Sequence, residues 1–393
     1  MEAAVVRGWH AIVGRLGDCD LQDSVCGALR SSRWASRSLV AEAVAGSDLV
    51  NADPAFALSV TNAGRAMSRA RRAALVVDRP ELFPLMHASL DDLPVFSVLM
   101  KRDLDGVGAS LLWCLSRMTS TGITTAYQDI LQVIVRLLEP LRTRTSLVAL
   151  AAMRIVLKET DLPVLRWQSA LIFELLRRQV QIRDHELERD AVQTLVAALV
   201  RLTPRRRPRG PDLDSTLDLV QDEVQYLALS GTRDENHCRR SCVFLEALAT
   251  LLALSGTACA TRLRRLLPCL FVFIEHQNRD ACRAGIAALS MTVCVCWPRV
   301  SAHARKLFEG VARAWLRNAV HEAPCDRIAF DLVELLALLV DVAPSQVTPL
   351  LAEFASMEPI DDLVRRARTR SAHPSPPPLK SALLWDMQFI QCG

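Results

Sequence analysis

Between Asp184 and Thr203 the apolar positions keep helical time: Val192, Leu195, Val196, Leu199 and Leu202 line one side of a 3.6-residue repeat. The spacing predicts an amphipathic helix with one buried face. Leu-Thr-Pro then ends it, because proline has no amide hydrogen and restricts the residue before it. The same arrangement recurs: residues 146–158 (SLVALAAMRIVLK) lead to Pro163, residues 278–296 to Pro298, and residues 326–342 (DRIAFDLVELLALLVDV) to Pro344. In the last of these only Asp331, Glu334 and Asp341 interrupt the apolar surface after Asp326 and Arg327. A helix that is apolar almost all round needs neighbours on several sides.

The prolines also set a period. From 163 to 204 is 41 residues, from 204 to 298 is 94, and from 298 to 344 is 46. If the middle interval holds two units, all lie near the roughly 40–47-residue period of HEAT-type helix pairs. The expected fold is therefore all-α, a HEAT-like α-solenoid of stacked antiparallel helix pairs. Residues 1–99 are expected to form N-terminal capping helices, 100–370 the helical repeats, and 371–393 a linker and tail. Within the repeats, Thr203 to Pro211 (TPRRRPRGP) reads as an exposed basic loop. Ser371 to Pro378 (SAHPSPPP) reads as extended or disordered. Leu383, Leu384, Trp385, Met387, Phe389 and Ile390 follow it as an apolar tail, to fold back as a cap or to dock in a partner's groove.

Composition supports helices. Aromatics make up 5% of the 393 residues and tyrosine occurs only at 127 and 226, whereas Leu, Ala, Val and Arg dominate. A net charge of +4 exerts no strong pull on nucleic acid or anionic membrane at this length. Lysine occurs only at 101, 158, 306 and 380, so the arginine excess reads either as codon bias or as an anion-binding surface. The stretch after Glu2 lacks the basic and apolar regions of a secretory signal. The longest uncharged runs, 247–261 and 284–298, are about 15 residues against the roughly 20 that span a bilayer. The twelve cysteines are scattered through apolar helical segments, as in an intracellular protein and unlike a small disulfide scaffold.

Catalytic spacings are missing. His185-Glu186 meets Arg189, and His321-Glu322 meets Cys325, where a zinc helix needs its second histidine. Gly106-Val-Gly108 runs into Leu111 where a dinucleotide fingerprint needs a third small residue. There is no P-loop and no G-x-S-x-G. His237-Cys238 with Cys242 lacks a second ligand pair, and Cys294 and Cys296 point in different directions on a helix, so these read as structural cysteines. The expectation is a protein that is no enzyme and holds no metal or cofactor.

Cys294 to His303 (CVCWPRVSAH) is the most distinctive stretch. Pro298 suits the first turn of a new helix, continued by Ala304, Leu307, Phe308, Val311 and Trp315 at helical spacing. Arg299 sits near a helix start, where positive charge is disfavoured, so an acidic neighbour or a partner protein should hold it.

Residues 146–203 and 261–301, with Trp297-Pro298-Arg299 as their most specific element, resemble the telomere-maintenance-two-interacting protein two family (Tti-two), and the likeness continues through 327–356, covering roughly 100–356 in order. The resemblance implies a non-enzymatic α-solenoid subunit of the Triple-T co-chaperone complex, bound to Tti-one and Tel-two. With the Hsp90 chaperone and its R2TP adaptor, that complex supports maturation and stability of phosphatidylinositol-three-kinase-related kinases of the mTOR, ATM and ATR type. It further implies a cytoplasmic protein that could also work in the nucleus. As motif positions, Trp297 is expected to pack between repeats and Pro298 to set the helix angle. Arg299 is expected to make an internal ion pair or a partner contact. The competing reading is another solenoid adaptor, carrying cargo or binding nucleic acid through the arginines at 205–209 and 365–370.

Overall fold

The computed structural model describes residues 69–78, 89–140, 142–182, 184–203, 210–230, 234–320, 325–355, 357–358 and 360–371. Among the described residues every regular element is helical and no strand occurs, so the protein is all-α. Residues 1–68 of the expected N-terminal cap, positions 204–209 of the basic loop, and the tail from 372 lie outside the described residues. The chain divides into two compact units between Val164 and Leu165.

The first unit contains α1 (Arg69–Asp78), α2 (Val95–Leu99), α3 (Leu104–Arg117), α4 (Ser120–Thr125), α5 (Tyr127–Leu138) and α6 (Thr143–Glu159). Helices α1, α2 and α3 pack on one another, α5 packs on α2 and α6, and α6 closes back onto α3. Polar clasps fix the ends of the short helices. Arg136 of α5 donates to the carbonyls of Met100 (2.7 Å), Arg102 (2.8 Å) and Leu99 (3.3 Å), satisfying groups that a helix C-terminus leaves unpaired. The Thr119 hydroxyl accepts from the Gly122 amide as the cap of α4 and donates to Asp91 at 2.6 Å. A Cβ at Gly122 would lie 1.9 Å from that same Asp91 carboxylate, so only glycine fits.

The units divide within α7 (Leu162–Trp167). The second unit continues with α8 (Ser169–Gln181), α9 (Glu188–Leu202), α10 (Pro211–Leu229), α11 (Glu235–Ser255), α12 (Leu263–Ile274), α13 (Arg279–Val295), α14 (Trp297–Val300), α15 (Ala304–Val320), α16 (Asp326–Val342), α17 (Pro344–Glu353) and α18 (Ile360–Ser371). Its contacts follow one rule. Helices pack in sequential pairs, α8 on α9, α10 on α11, α12 on α13, and α15 on α16. In addition, the first members touch in the order α8, α10, α12, α15, α17, and the second members in the order α9, α11, α13, α16, α18. The interval between Pro204 and Pro298 thus holds two pairs, α10–α11 and α12–α13.

The boundaries follow from caps and prolines. Pro298 and Pro344 occupy the first turns of α14 and α17, and Pro211 that of α10, where the missing amide costs nothing. The Asn278 side chain accepts from the amides of Asp280 and Ala281 to start α13, and Asp234 accepts from His237 N to start α11. Helix α9 begins at Glu188, later than the pattern from 184 suggests, because the Asp184 carboxylate accepts from the Glu186 amide and makes a local turn. Helix α16 matches the apolar run 326–342 and is contacted by α13, α15, α17 and α18, the neighbours on several sides that its composition demands.

Arginines clasp these helices to one another. Arg177 of α8 reaches Asp212 of α10, Arg262 pairs with Asp218 of α10, and Arg313 of α15 holds Glu275 at the end of α12 at 2.9 Å. On the other side Arg283 of α13 pairs with Asp331 of α16, and Arg370 of α18 with Glu334 of α16. The most buried clasp is Arg240 of α11, which grips Glu188 of α9 at 2.7 Å and Glu223 of α10 at 2.8 Å, with the Glu188 side chain only 5% exposed.

By length and apolar composition alone, the run Glu235–Ile274 could cross a membrane. Part of its apolar surface is packed inside the unit: α11 is contacted by α9, α10 and α13, and Leu245, Leu248, Leu251 and Leu252 are buried. The run also breaks at Gly256, whose φ of +56° ends α11 in a conformation that L side chains rarely adopt.

Candidate functional site

The turn from α13 into α14 is built from three solvent-facing residues held between two buried ones. Cys296 closes α13, its amide donating to Thr292 O at 2.9 Å, and is fully buried. Val300, four residues on and so on the same side of the helical turn, is also buried. Between these two anchors Trp297, Pro298 and Arg299 all face solvent.

Trp297 is 58% exposed, which corrects the expectation that its indole packs between repeats. The physical reason is the short helix itself: with Cys296 and Val300 taking the inward positions, the residue directly after Cys296 is turned outward. Pro298 sits in the first turn of α14, as its fixed φ and missing amide suit. The Arg299 amide donates to Cys296 O at 2.9 Å, while among the described residues its guanidinium makes no ion pair or hydrogen bond. The acidic neighbour expected to hold it inside the fold is therefore not found among the described residues.

The exposed indole of Trp297 therefore stands next to a guanidinium with no ion pair among the described residues. Tryptophan and arginine are the side chains most enriched among residues that dominate binding energy at protein interfaces. Burying one aromatic side chain is worth roughly 1.5–3 kcal/mol, and among the described residues Trp297, at 58% exposure, realises only part of that gain. Further apolar side chains stand exposed on the first members of the helix pairs: Tyr226 and Leu229 near the end of α10, Val272 on α12 and Val320 at the end of α15.

The other sequence candidates are structural. His237 is buried, its Nδ1 lies 3.3 Å from the Ser230 hydroxyl, and burial lowers its pKa below the usual 6.5 against the opposing charge of Asp234. Cys242 and Cys294 are pushed up to about 11, by burial first, so they stay protonated and poorly suited to metal binding or nucleophilic attack at neutral pH. Among the described residues no group of three His, Cys, Asp or Glu side chains could hold a metal ion. The arginines of 365–370 are largely engaged: Arg365 and Arg366 both bind Asp362, and Arg370 binds Glu334.

Two features carried no signal in the sequence. The Arg240 clasp joins residues 52 and 17 positions apart. Cys296, paired in the sequence pattern with Cys294, instead meets Cys259 sulfur to sulfur at 3.3 Å, 37 positions away. In the comparisons with known proteins, the chain matches no family model and no curated protein.

Proposed function

We propose that this chain is a non-catalytic scaffold whose helix pairs form a HEAT-like α-solenoid, and that it serves as a Tti-two-type subunit of a Triple-T co-chaperone complex. Two things support the solenoid: the pair-on-pair order of α8 to α18 and the arginine clasps that repeat from one pair to the next. The observation that carries the scaffold reading is the Trp297-Pro298-Arg299 turn, held rigid by two buried anchors yet presenting its own side chains outward. These are also the residues on which the family resemblance rests most heavily. In this reading the sister subunits Tti-one and Tel-two cover the turn. The assembled complex works with Hsp90 and R2TP to stabilise kinases of the mTOR, ATM and ATR type, hence DNA-damage and nutrient signalling, in the cytoplasm and the nucleus. No catalytic group, metal or cofactor takes part.

The adaptor reading that relies on nucleic acid draws little support from 365–370, since carboxylates already engage Arg365, Arg366 and Arg370. Tagged full-length chain purified from cells tests the proposal. Stoichiometric recovery of both sister subunits is expected, and recovery of neither overturns it. A low-salt gel shift with the same material should show no retarded nucleic acid.

A further inference from the structure

Two buried thiols meet directly beneath the exposed turn. Cys259 lies in the 3₁₀ segment Gly256–Arg262 that leads from α11 to α12, and Cys296 lies where α13 passes into α14, so the pair joins two successive corners of the same unit. Their sulfurs are 3.3 Å apart, and the segments that carry them are packed together. The Gly256 turn positions the first of them: with φ at +56° it brings its carbonyl within 2.8 Å of Cys259 Sγ, which donates to it. Cys259 can then accept the S–H of Cys296, so hydrogen bonds run from Cys296 to Cys259 to the backbone.

This geometry makes the two sulfurs unequal. The hydrogen bond from Cys296 lowers the pKa of Cys259 against the effect of burial, and the Arg262 charge adds to the lowering. The same bond and burial keep Cys296 protonated. Four other thiols contrast with Cys259, since burial raises the pKa of Cys114 and Cys282 to about 12 and that of Cys242 and Cys294 to about 11. Two thiols in direct contact, one of them eased toward ionisation, are placed to close to a disulfide.

We propose that Cys259 and Cys296 form an oxidant-responsive modification site, closing to a reversible disulfide with hydrogen peroxide as the oxidant. The Cys259 thiolate attacks one peroxide oxygen, the O–O bond breaks, and hydroxide leaves a sulfenic acid on Cys259. Cys296 gives its proton to that hydroxide, forming the first water, and its sulfur attacks Cys259 Sγ. The S–O bond breaks, the S–S bond forms, and the departing hydroxide takes a proton from solvent to replace the one that Cys259 released on ionising. In balance, two thiols and one peroxide give one disulfide and two waters, with two electrons passing from sulfur to oxygen. Burial of both side chains favours an oxidant of about the size of water. The crosslink pins the corner after α11 to the start of α14, so it bears on the segment that presents Trp297. The site stands independently of the function proposed above.

Non-reducing tryptic mapping of the full chain after hydrogen peroxide treatment tests this. The expected product links peptides 241–262 and 284–299, is lighter than their sum by about 2 Da for the two hydrogens lost, and disappears with dithiothreitol. Fragmentation should place the link on Cys259, not Cys242, and on Cys296, not Cys294. The melting temperature should rise on oxidation, because the link closes a long loop in the unfolded chain, and fall back on reduction. In Cys259→Ala and in Cys296→Ala no linked peptide should form, and in Cys259→Ala, Cys296 should stay reduced. Oxidation confined to Cys242, Cys294 or Cys325 overturns the proposal, as does a link at other cysteines or the absence of any link. Mapping of the wild-type chain decides the matter by itself if either variant fails to fold.

Discussion

Arg240 and Arg299 put the same side chain to opposite uses in one unit. Arg240 joins three helices, its guanidinium gripping Glu188 and Glu223 while lying 5.7 Å from the Phe244 ring centroid. Arg299 sits on a four-residue helix, turned outward beside an exposed tryptophan, with no carboxylate bound to it among the described residues. The contrast separates architecture from recognition. At Arg240 the fold supplies carboxylates at hydrogen-bond distance, one of them buried, whereas around Arg299 it supplies none among the described residues.

The sharpest way to break this contrast is at the joint. Arg240→Ala takes the shared guanidinium from Glu188, which is buried, and Glu223, which is half-buried, and should cost about 3–5 kcal/mol of stability, measured by urea unfolding. A loss below about 1 kcal/mol would mean that water screens the site and that the joint is no different from the surface. Next in size is Gly285→Ala. A Cβ there would lie 2.8 Å from Phe273 Cβ and 3.0 Å from the Phe273 backbone, so α13 must move away from α12, at a cost of about 1–3 kcal/mol. Gly310→Ala meets only the Phe271 ring, at 2.7 Å, and should cost less because a ring shifts more easily than a backbone.

His237 sharpens the joint through pH. Burial depresses its folded-state pKa below the ordinary 6.5, despite Asp234 and with help from the Arg240 charge. The unfolded chain therefore binds the proton more readily, so stability is fully present above pH 6.5 and declines as pH falls through and below that value. In His237→Asn the loss of stability between pH 7.5 and 5.5 should be smaller than in the wild type, and an equal loss would contradict the burial argument. The smallest effects belong to the surface. Arg265 and Asp222, both more than half exposed, pair at 3.4 Å, and Arg265→Ala should change stability by less than about 0.5 kcal/mol.

How far the sequence could be read also follows this division. Helix α16 was legible to the residue, because an all-round apolar run between Asp326 and Pro344 leaves few alternatives. Helix α9 was placed but not its start, since Asp184 spends its side chain on a turn that periodicity cannot show. Trp297 was found as a motif and misplaced as a core residue. An indole following an apolar run looks buried until one sees that Cys296 and Val300 already occupy the inward side of the turn. The Arg240 clasp and the Cys259–Cys296 contact were out of reach, because which side chains meet across 37 or 52 residues depends on helix packing that local pattern does not encode.

The most direct test compares folding and binding in one variant, Trp297→Ala with Arg299→Glu. Both side chains are solvent-facing, so the account predicts a melting curve equivalent to less than about 0.5 kcal/mol of change together with loss of the co-purified sister subunits. A variant that melts as the wild type and still recovers those subunits in full, or one that loses several kcal/mol of stability, would contradict it.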